Sequence, residues 1–328
     1  MKSKIFCKRM TLVLMFVLIV AVLLGLGFCR KNDKSNNSKD GKLENGNSTP
    51  VINSEDNSKA DKQPILFKDP LFEKLLKQEL GKDKVYLSDL SDISGVEIVA
   101  DQFIFLSGPN RPNRSIALYG EDTFEYDGKK YTGFGTMKSL EDLKCFPKIT
   151  ALRISLQPEL DYSIIPYIDR LYHIAIYQSK LSQVKFLSEA INLTTLTIDS
   201  NNITDISSIK NMTKLKFISV NFNKCTDISV LKNLTALEQI SFYSNEITDI
   251  TPLANLKALK KIGMYDNKVV DISILANLSN LTYVEFINNK ITDVSPLKEF
   301  KSFKRLALKG NPIKNIGVLS HIENLEYE

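Results

Sequence analysis

Few residues in this chain have types that lend themselves to chemistry. There are two histidines, His173 and His321, four cysteines, and a row of aspartates spaced 22 residues apart, Asp205, Asp227, Asp249, Asp271 and Asp293. Two imidazoles can share acid–base or metal work only if both reach one point. These two lie more than six 22-residue periods apart, over roughly 30 Å at ~4.8 Å per stacked strand, so they form no common site. No HExxH, GxSxG, phosphate loop or paired-cysteine metal motif occurs. The aspartate row could suggest repeated cation sites, as in calcium-binding solenoids, but the glycine-rich nonapeptide that builds such sites is missing. We therefore expect no enzyme, no cofactor and no metal. Cys145 and Cys225 fall four stacked strands apart, about 19 Å, well beyond the roughly 7 Å reach of a disulfide. An exported chain without disulfides fits a bacterium better than a eukaryotic secretory route.

The spacing itself is the strongest signal. From Leu193 a 22-residue pattern restarts at Leu215, Leu237, Leu259, Leu281 and Phe303, and it extends back to Leu171 and more loosely to Ile149. Offsets 0, 3, 5, 10, 13, 16 and 19 are apolar in all seven units from Leu171 onward, whereas 43% of the whole chain is hydrophobic. Alternation at offsets 3 and 5, as in Leu196 and Ile198, is the period of a strand with one buried face. Steps of three, as in Ile203, Ile206, Ile209 and Met212, suit a tight 3₁₀ return. One such unit cannot bury its apolar face alone, so the units must stack.

Two polar rows complete the unit. Offset 8 is Asn201, Asn223, Asn245, Asn267, Asn289 and Asn311, whose side chains offer both donor and acceptor to backbone groups stranded in a sharp turn. The aspartates hold offset 12, followed by Asn315, where a carboxylate can cap free N–H groups of the return. With these residues in place, the pattern NxITDISxLxxLxxL over about residues 138–328 resembles leucine-rich repeats of the internalin type found on bacterial surface proteins. The resemblance implies an α/β repeat: a right-handed solenoid with a parallel sheet on its concave face, short helical turns on the convex side, an N-terminal helical cap and a β-rich insert. It also implies binding of another macromolecule.

Alternate strand residues point to opposite faces, so offsets 2, 4 and 6 form the concave face with offset 7 at its edge. They collect His173, Tyr177, Phe217, Phe222, Tyr243, Tyr265, Tyr283 and Ile287, the candidate binding residues, with Asp199, Asn221, Gln239, Lys261, Glu285, Arg305 and Lys309 between them. Gathered aromatics bury large area at low entropic cost and suit a protein interface. The same rings could stack on sugars or merely cover neighbouring strands.

Ahead of the repeats, LFKDPLFEKLLKQELG has helical spacing (Leu71, Phe72, Leu75, Leu76, Leu80) and a Gly81 stop, and is similar to the cap of that family. Residues 93–135 read as β-rich, with Asp127-Gly128 marking a hairpin, and do not align with a repeat. Leu140, Leu143 and Phe146 take the phase of a half repeat. Further upstream, Lys2, Lys4, Lys8 and Arg9 precede the uncharged run Met10–Cys29, long enough to span a bilayer with its N-terminus inside. Cys29 in Leu26-Gly27-Phe28-Cys29 resembles a lipoprotein acylation site, although Phe28 stands where a small residue is usual. Either a lipidated Cys29 or an uncleaved helix tethers the chain outside the cell. Residues 30–63 carry few apolar side chains and read as a disordered spacer.

The expected organisation is an anchor over 1–29, a linker over 30–63, a cap region over 64–136 and repeats over 137–328. A charge of +5, from 43 basic against 38 acidic residues, is too mild to imply nucleic acid. The expected function is a monomeric, adhesin-like cell-surface protein that binds a protein partner, or a glycan, on its concave face. The alternative is a cell-wall-modifying enzyme with its activity in 93–136 and the repeats as targeting module.

Overall fold

The computed structural model describes residues 63–112, 114–323 and 325–327. The anchor segment, Cys29 and all but the last residue of the spacer lie outside them. Among the described residues no helix is long and apolar enough to cross a membrane. The chain divides into two units; the larger comprises Ile65–Val85, Asp89–Arg114 and Gly133–Glu328.

The larger unit is a solenoid. Its strands are β1 (Gly95–Val99), β2 (Phe103–Ser107), β6 (Ala151–Ser155), β7 (His173–Tyr177), β8 (Thr195–Thr197), β9 (Phe217–Ser219), β10 (Gln239–Ser241), β11 (Lys261–Gly263), β12 (Tyr283–Glu285), β13 (Arg305–Ala307) and β14 (Leu325–Glu326). They form one eleven-stranded sheet in the order β14 back to β6, then β1 and β2. From β1 to β14 neighbours are parallel, and from β6 to β13 residues 22 apart face each other: Leu196, Ile218, Ile240, Ile262, Val284 and Leu306 make one continuous row. That row and the other apolar offsets fill a single core. Of the 49 positions named by seven units and seven offsets, all are buried except Leu181, Ala190, Phe300, Ile313 and Ile316, which pack partly buried against it.

The returns are 3₁₀ turns for a reason visible in the spacing. The amide of Ile209 donates to Ile206 O, that of Met212 to Ile209 O and that of Leu215 to Met212 O, at 2.9–3.1 Å. The apolar step of three is thus also the hydrogen-bond step, and each buried side chain eclipses the next. Between strand and return, offset 7 is left-handed in eight consecutive units, from Leu156 (φ 62°) through Phe222 (54°) to Gly310 (75°), with glycine only at the last. This conformation is costly for L residues, and the asparagines just after it compensate. Asn245 Oδ1 accepts from Cys225 N at 3.0 Å, and its Nδ2 donates to Val220 O and Tyr243 O at 2.8 and 3.1 Å. Each asparagine of the row so satisfies the turn of the preceding unit, as donor–acceptor reasoning predicts.

The stack begins earlier than the sequence pattern reaches. β1 pairs in parallel with β6, Ile98 opposite Ile154, and Ala100 takes the left-handed position at φ 45°, so Ile93–Ala100 serves as the strand segment of an additional unit. Its 56-residue offset from Ile149 breaks the 22-residue phase, which hides it from the sequence pattern. β2 then turns back antiparallel on β1 and closes that end of the sheet. Helix α1 (Pro70–Leu80) packs on β2, burying Phe72, Leu75 and Leu76. Asp69 caps it, with Oδ1 accepting from Leu71 N and Phe72 N, while Oδ2 accepts from Lys138 N and Ser139 N. Asp142 answers by accepting from Lys68 N and Asp69 N at 2.8 and 2.9 Å. Two buried carboxylates thereby brace the cap to the first 3₁₀ turn.

Of the described residues, the smaller unit holds Gln63, Pro64, Tyr86–Ser88 and Ser115–Thr132. It is an antiparallel sheet of β3 (Ala117–Tyr119), β4 (Thr123–Tyr126) and β5 (Lys129–Thr132). Asp127 and Gly128, both at positive φ, form the predicted hairpin turn. Phe124 stacks on Tyr131 at 5.0 Å.

Candidate functional site on the open face of the sheet

Offsets 2, 4 and 6 leave the core and line the open face. Offset 4 supplies its floor, and across five strands that floor is small: Ala175, Thr197, Ser219, Ser241 and Gly263. Charged pairs stand at both ends. At the N-terminal end Arg153 Nη1 lies 3.7 Å from Glu97 Oε2, and at the C-terminal end Arg305 pairs with Glu285 and Glu326. Burial raises the pKa of Glu97, and the adjacent Arg153 offsets part of that rise.

The eight predicted residues all reach this face or its edge, and all eight are half-buried. They do not form one cluster. Tyr243 and Tyr265 meet edge to face at 6.1 Å. The Tyr243 ring lies over Gly263, where an added Cβ would come within 2.5 Å of it, and its hydroxyl hydrogen-bonds Glu285 two strands away. Burial and the Glu285 carboxylate push the Tyr243 phenol well above its usual pKa. Asn288 Nδ2 donates to Asp266 Oδ1 at 2.8 Å, with the Tyr265 hydroxyl at 3.4 Å. Tyr283 carries the Lys261 ammonium 4.8 Å over its ring. Phe217 and Phe222 lie on the β9 unit and Ile287 on the β12 unit. His173 and Tyr177, on β7, form a separate group near Arg153. Burial first and Arg153 second hold the His173 pKa down at about 4, so its ring is neutral; burial raises that of Tyr177 to about 12.

Between the groups the sequence reading needs adjustment. Asp199 and Asn221, placed among the specificity-conferring polar residues, are buried at 4% and 2% exposure and bonded to each other. Asp199 Oδ1 accepts from Ser219 Oγ and Asn221 N at 2.7 and 2.8 Å. Asn221 Oδ1 accepts in turn from Ser241 Oγ and Tyr243 N at 2.8 and 2.7 Å. Because the floor side chains are short, the next polar residue can fold down onto them rather than stand up. Burial lifts the Asp199 pKa to about 6, against the lowering effect of these donors. This network holds the backbone from which Tyr243 projects. Arg153 and Glu97 escaped the sequence reading, though carrying offset 4 one unit further back would have found Arg153.

The aspartates at offset 12 brace the entry to each 3₁₀ return. Asp205, Asp227 and Asp249 each accept from the backbone and hydroxyl of the residue two positions on, at 2.7–3.0 Å. Those bonds lower the Asp205 pKa. Cys225 is buried, its thiol pushed up to about 12 by burial.

A model of leucine-rich repeats in two copies matches residues 191–233. No curated protein sequence matches the chain. Among solved structures, internalin C2 of Listeria monocytogenes is 27% identical, with 76% of this chain and 96% of that chain covered and a TM-score of 0.54. An internalin of the same species, InlF, is 26% identical, with 81% and 85% covered and a TM-score of 0.57. The fold is a leucine-rich repeat solenoid similar to that of those internalins.

Proposed function

From a leucine-rich repeat solenoid of this kind, we propose a non-enzymatic surface protein of a bacterium, tethered by residues 1–29, that binds a protein partner through the open face of its sheet. The observation that carries this reading is the Tyr243–Tyr265 pair. The Tyr243 ring is held in place before any partner arrives, by the bare Gly263 surface beneath and the Glu285 carboxylate beside it, and Tyr265 rests edge to face against it. Pre-positioned aromatics lose little conformational entropy on binding and so contribute more net affinity per area buried. The similarity to internalins favours the bacterial surface, and the charged, apolar and spacer segments of residues 1–63 supply the tether.

The test is capture of partners from candidate host or bacterial surface extracts by the immobilised chain, with identification of what is retained. Tyr243→Ser with Tyr265→Ser should abolish retention, while circular dichroism and thermal unfolding keep the repeat fold. Tyr243→Phe keeps the ring over Gly263 and loses only the hydroxyl bond, and should bind with modestly reduced affinity. Retention of every partner by the double variant would overturn the proposal.

A further inference from the structure

One edge of the sheet carries a regular comb of lysines that the binding face as described does not use. Where the chain enters each strand, the backbone ladder runs from Lys216 to Glu238, Lys260, Thr282 and Lys304, each amide donating to the residue 22 positions before it at 2.8–2.9 Å. Around this ladder basic residues gather on every second rung: Lys214 and Lys216, then Lys257, Lys260 and Lys261, then Lys301 and Lys304. All but Lys261 are exposed. The rungs between are occupied by Glu238 and by the neutral Thr282, with the half-buried rings of Phe217 and Tyr283 just inside the edge. Glu238 is shared between two lysines, 2.6 Å from Lys260 and 3.9 Å from Lys216, which lowers its pKa. The exposed Glu323 stands beyond Lys301 at the far end. Lys301 and Lys304 have no carboxylate on the neighbouring rungs toward β11. Burial first and Lys304 second lower the pKa of Lys261, with Glu285 acting the other way.

We propose that this edge, continuous with the aromatic half of the open face, docks an extended acidic protein segment carrying a carboxylate at about every third residue. The spacing carries the argument. Alternate rungs lie two strand spacings apart, roughly 9.6 Å at ~4.8 Å each, and a segment in the extended polyproline II form advances ~3.1 Å per residue with three residues per turn, so every third side chain returns to the same side about 9.3 Å on and reaches the next lysine cluster. Phe217, beside Lys216, and Tyr283, on the rung between Lys260 and Lys304, lie just inside the edge, take apolar side chains and favour a polypeptide over a uniformly charged phosphate polymer. Lysines at an interface rim act chiefly on encounter rate and selectivity, so the comb complements the tyrosine pair rather than replacing it. The inference rests on the protein-binding reading above and names the partner's chemistry.

The test is fluorescence-anisotropy titration of the full chain with two synthetic peptides of one composition. The first has glutamate at every third position with leucine and threonine between; the second has its glutamates contiguous. The first should bind with an affinity that falls as salt rises, and the second should bind roughly tenfold more weakly. Lys257→Gln with Lys301→Gln and Lys304→Gln should weaken the first peptide roughly tenfold. The same change at the opposite rim, in Lys224, Lys268 and Lys290, should leave it unaltered. Equal binding of both peptides, equal damage from either triple variant, or binding of hyaluronate oligosaccharides in place of the peptide would overturn the inference. Running the Tyr243→Ser, Tyr265→Ser variant against captured partners separates the two readings: partners lost there but kept by the lysine triple variant sink the comb alone, and partners kept by both sink the open-face reading as well.

Discussion

Asp199 is the residue at which structure and chemistry are most tightly joined. Its carboxylate is buried among donors but not fully compensated, so burial lifts its pKa from 3.8 to about 6. A group whose folded pKa exceeds its unfolded one adds stability below the unfolded value and loses it as pH rises through the folded value. Between pH 4 and 7 the ionising Asp199 therefore withdraws on the order of 2 kcal/mol from the fold. His173 acts in the opposite sense: held neutral with a pKa near 4, it adds stability above about pH 6.5 and loses it as pH falls toward 4. The two windows overlap, so only single variants reveal either. Asp199→Asn should flatten the Asp199 part, so that the stability difference between wild type and variant shifts toward the wild type as pH falls from 7 to 4. Urea denaturation at the two pH values measures this, and a pH-independent difference would show that folding does not raise the Asp199 pKa. The position of Asp199 at offset 6 was legible in the sequence; its burial was not, because burial depends on the small side chains of the neighbouring strands.

At the scale of elements, repeat strands, 3₁₀ returns, the asparagine row, helix α1 and the Asp127-Gly128 hairpin all follow from local patterns. What escaped the pattern was the β1–β2 cap, for a physical reason. An end strand needs only one repeat-like neighbour, so it is free of the 22-residue phase, and its antiparallel partner covers backbone groups that a bare edge would expose. The Asp69–Asp142 brace also eluded the sequence, since it links residues 73 apart that local spacing cannot relate. It carries a prediction for this element. Asp142→Ala strands the Lys68 and Asp69 amides and should destabilise the cap by about 2–4 kcal/mol, each lost acceptor costing ~1–2 kcal/mol. Hydrogen exchange should quicken first in α1, β1 and β2 while β9–β13 stay protected. Uniform loss of protection along the stack would mean that cap and repeats unfold as one.

For the whole molecule, the large unit is a linear assembly in which each repeat packs chiefly on its neighbours, so its ends govern its integrity. At the N-terminal side of the large unit Ile65 N donates to Val85 O at 2.8 Å, and Ile65 and Phe67 pack partly buried on the core. Mild proteolysis of the full chain should leave a resistant core starting close to Ile65, with residues 30–63 removed. N-terminal sequencing of the product checks this, and a stable start well inside the repeats would show that the cap is not part of the folded unit.

The periodicity of apolar and asparagine positions alone dictated a stacked coil with a parallel sheet, because a 22-residue unit with seven apolar positions has no other way to bury them. It also named the residues of the open face, since strand alternation leaves no choice of side. Which of those residues stand ready and which fold away came only from the packing of strands far apart in sequence. Gly263 lets the Tyr243 ring lie flat, and short serines let Asp199 and Asn221 turn inward. The height of a side chain above a sheet is set by its lateral neighbours, and those neighbours are a repeat away.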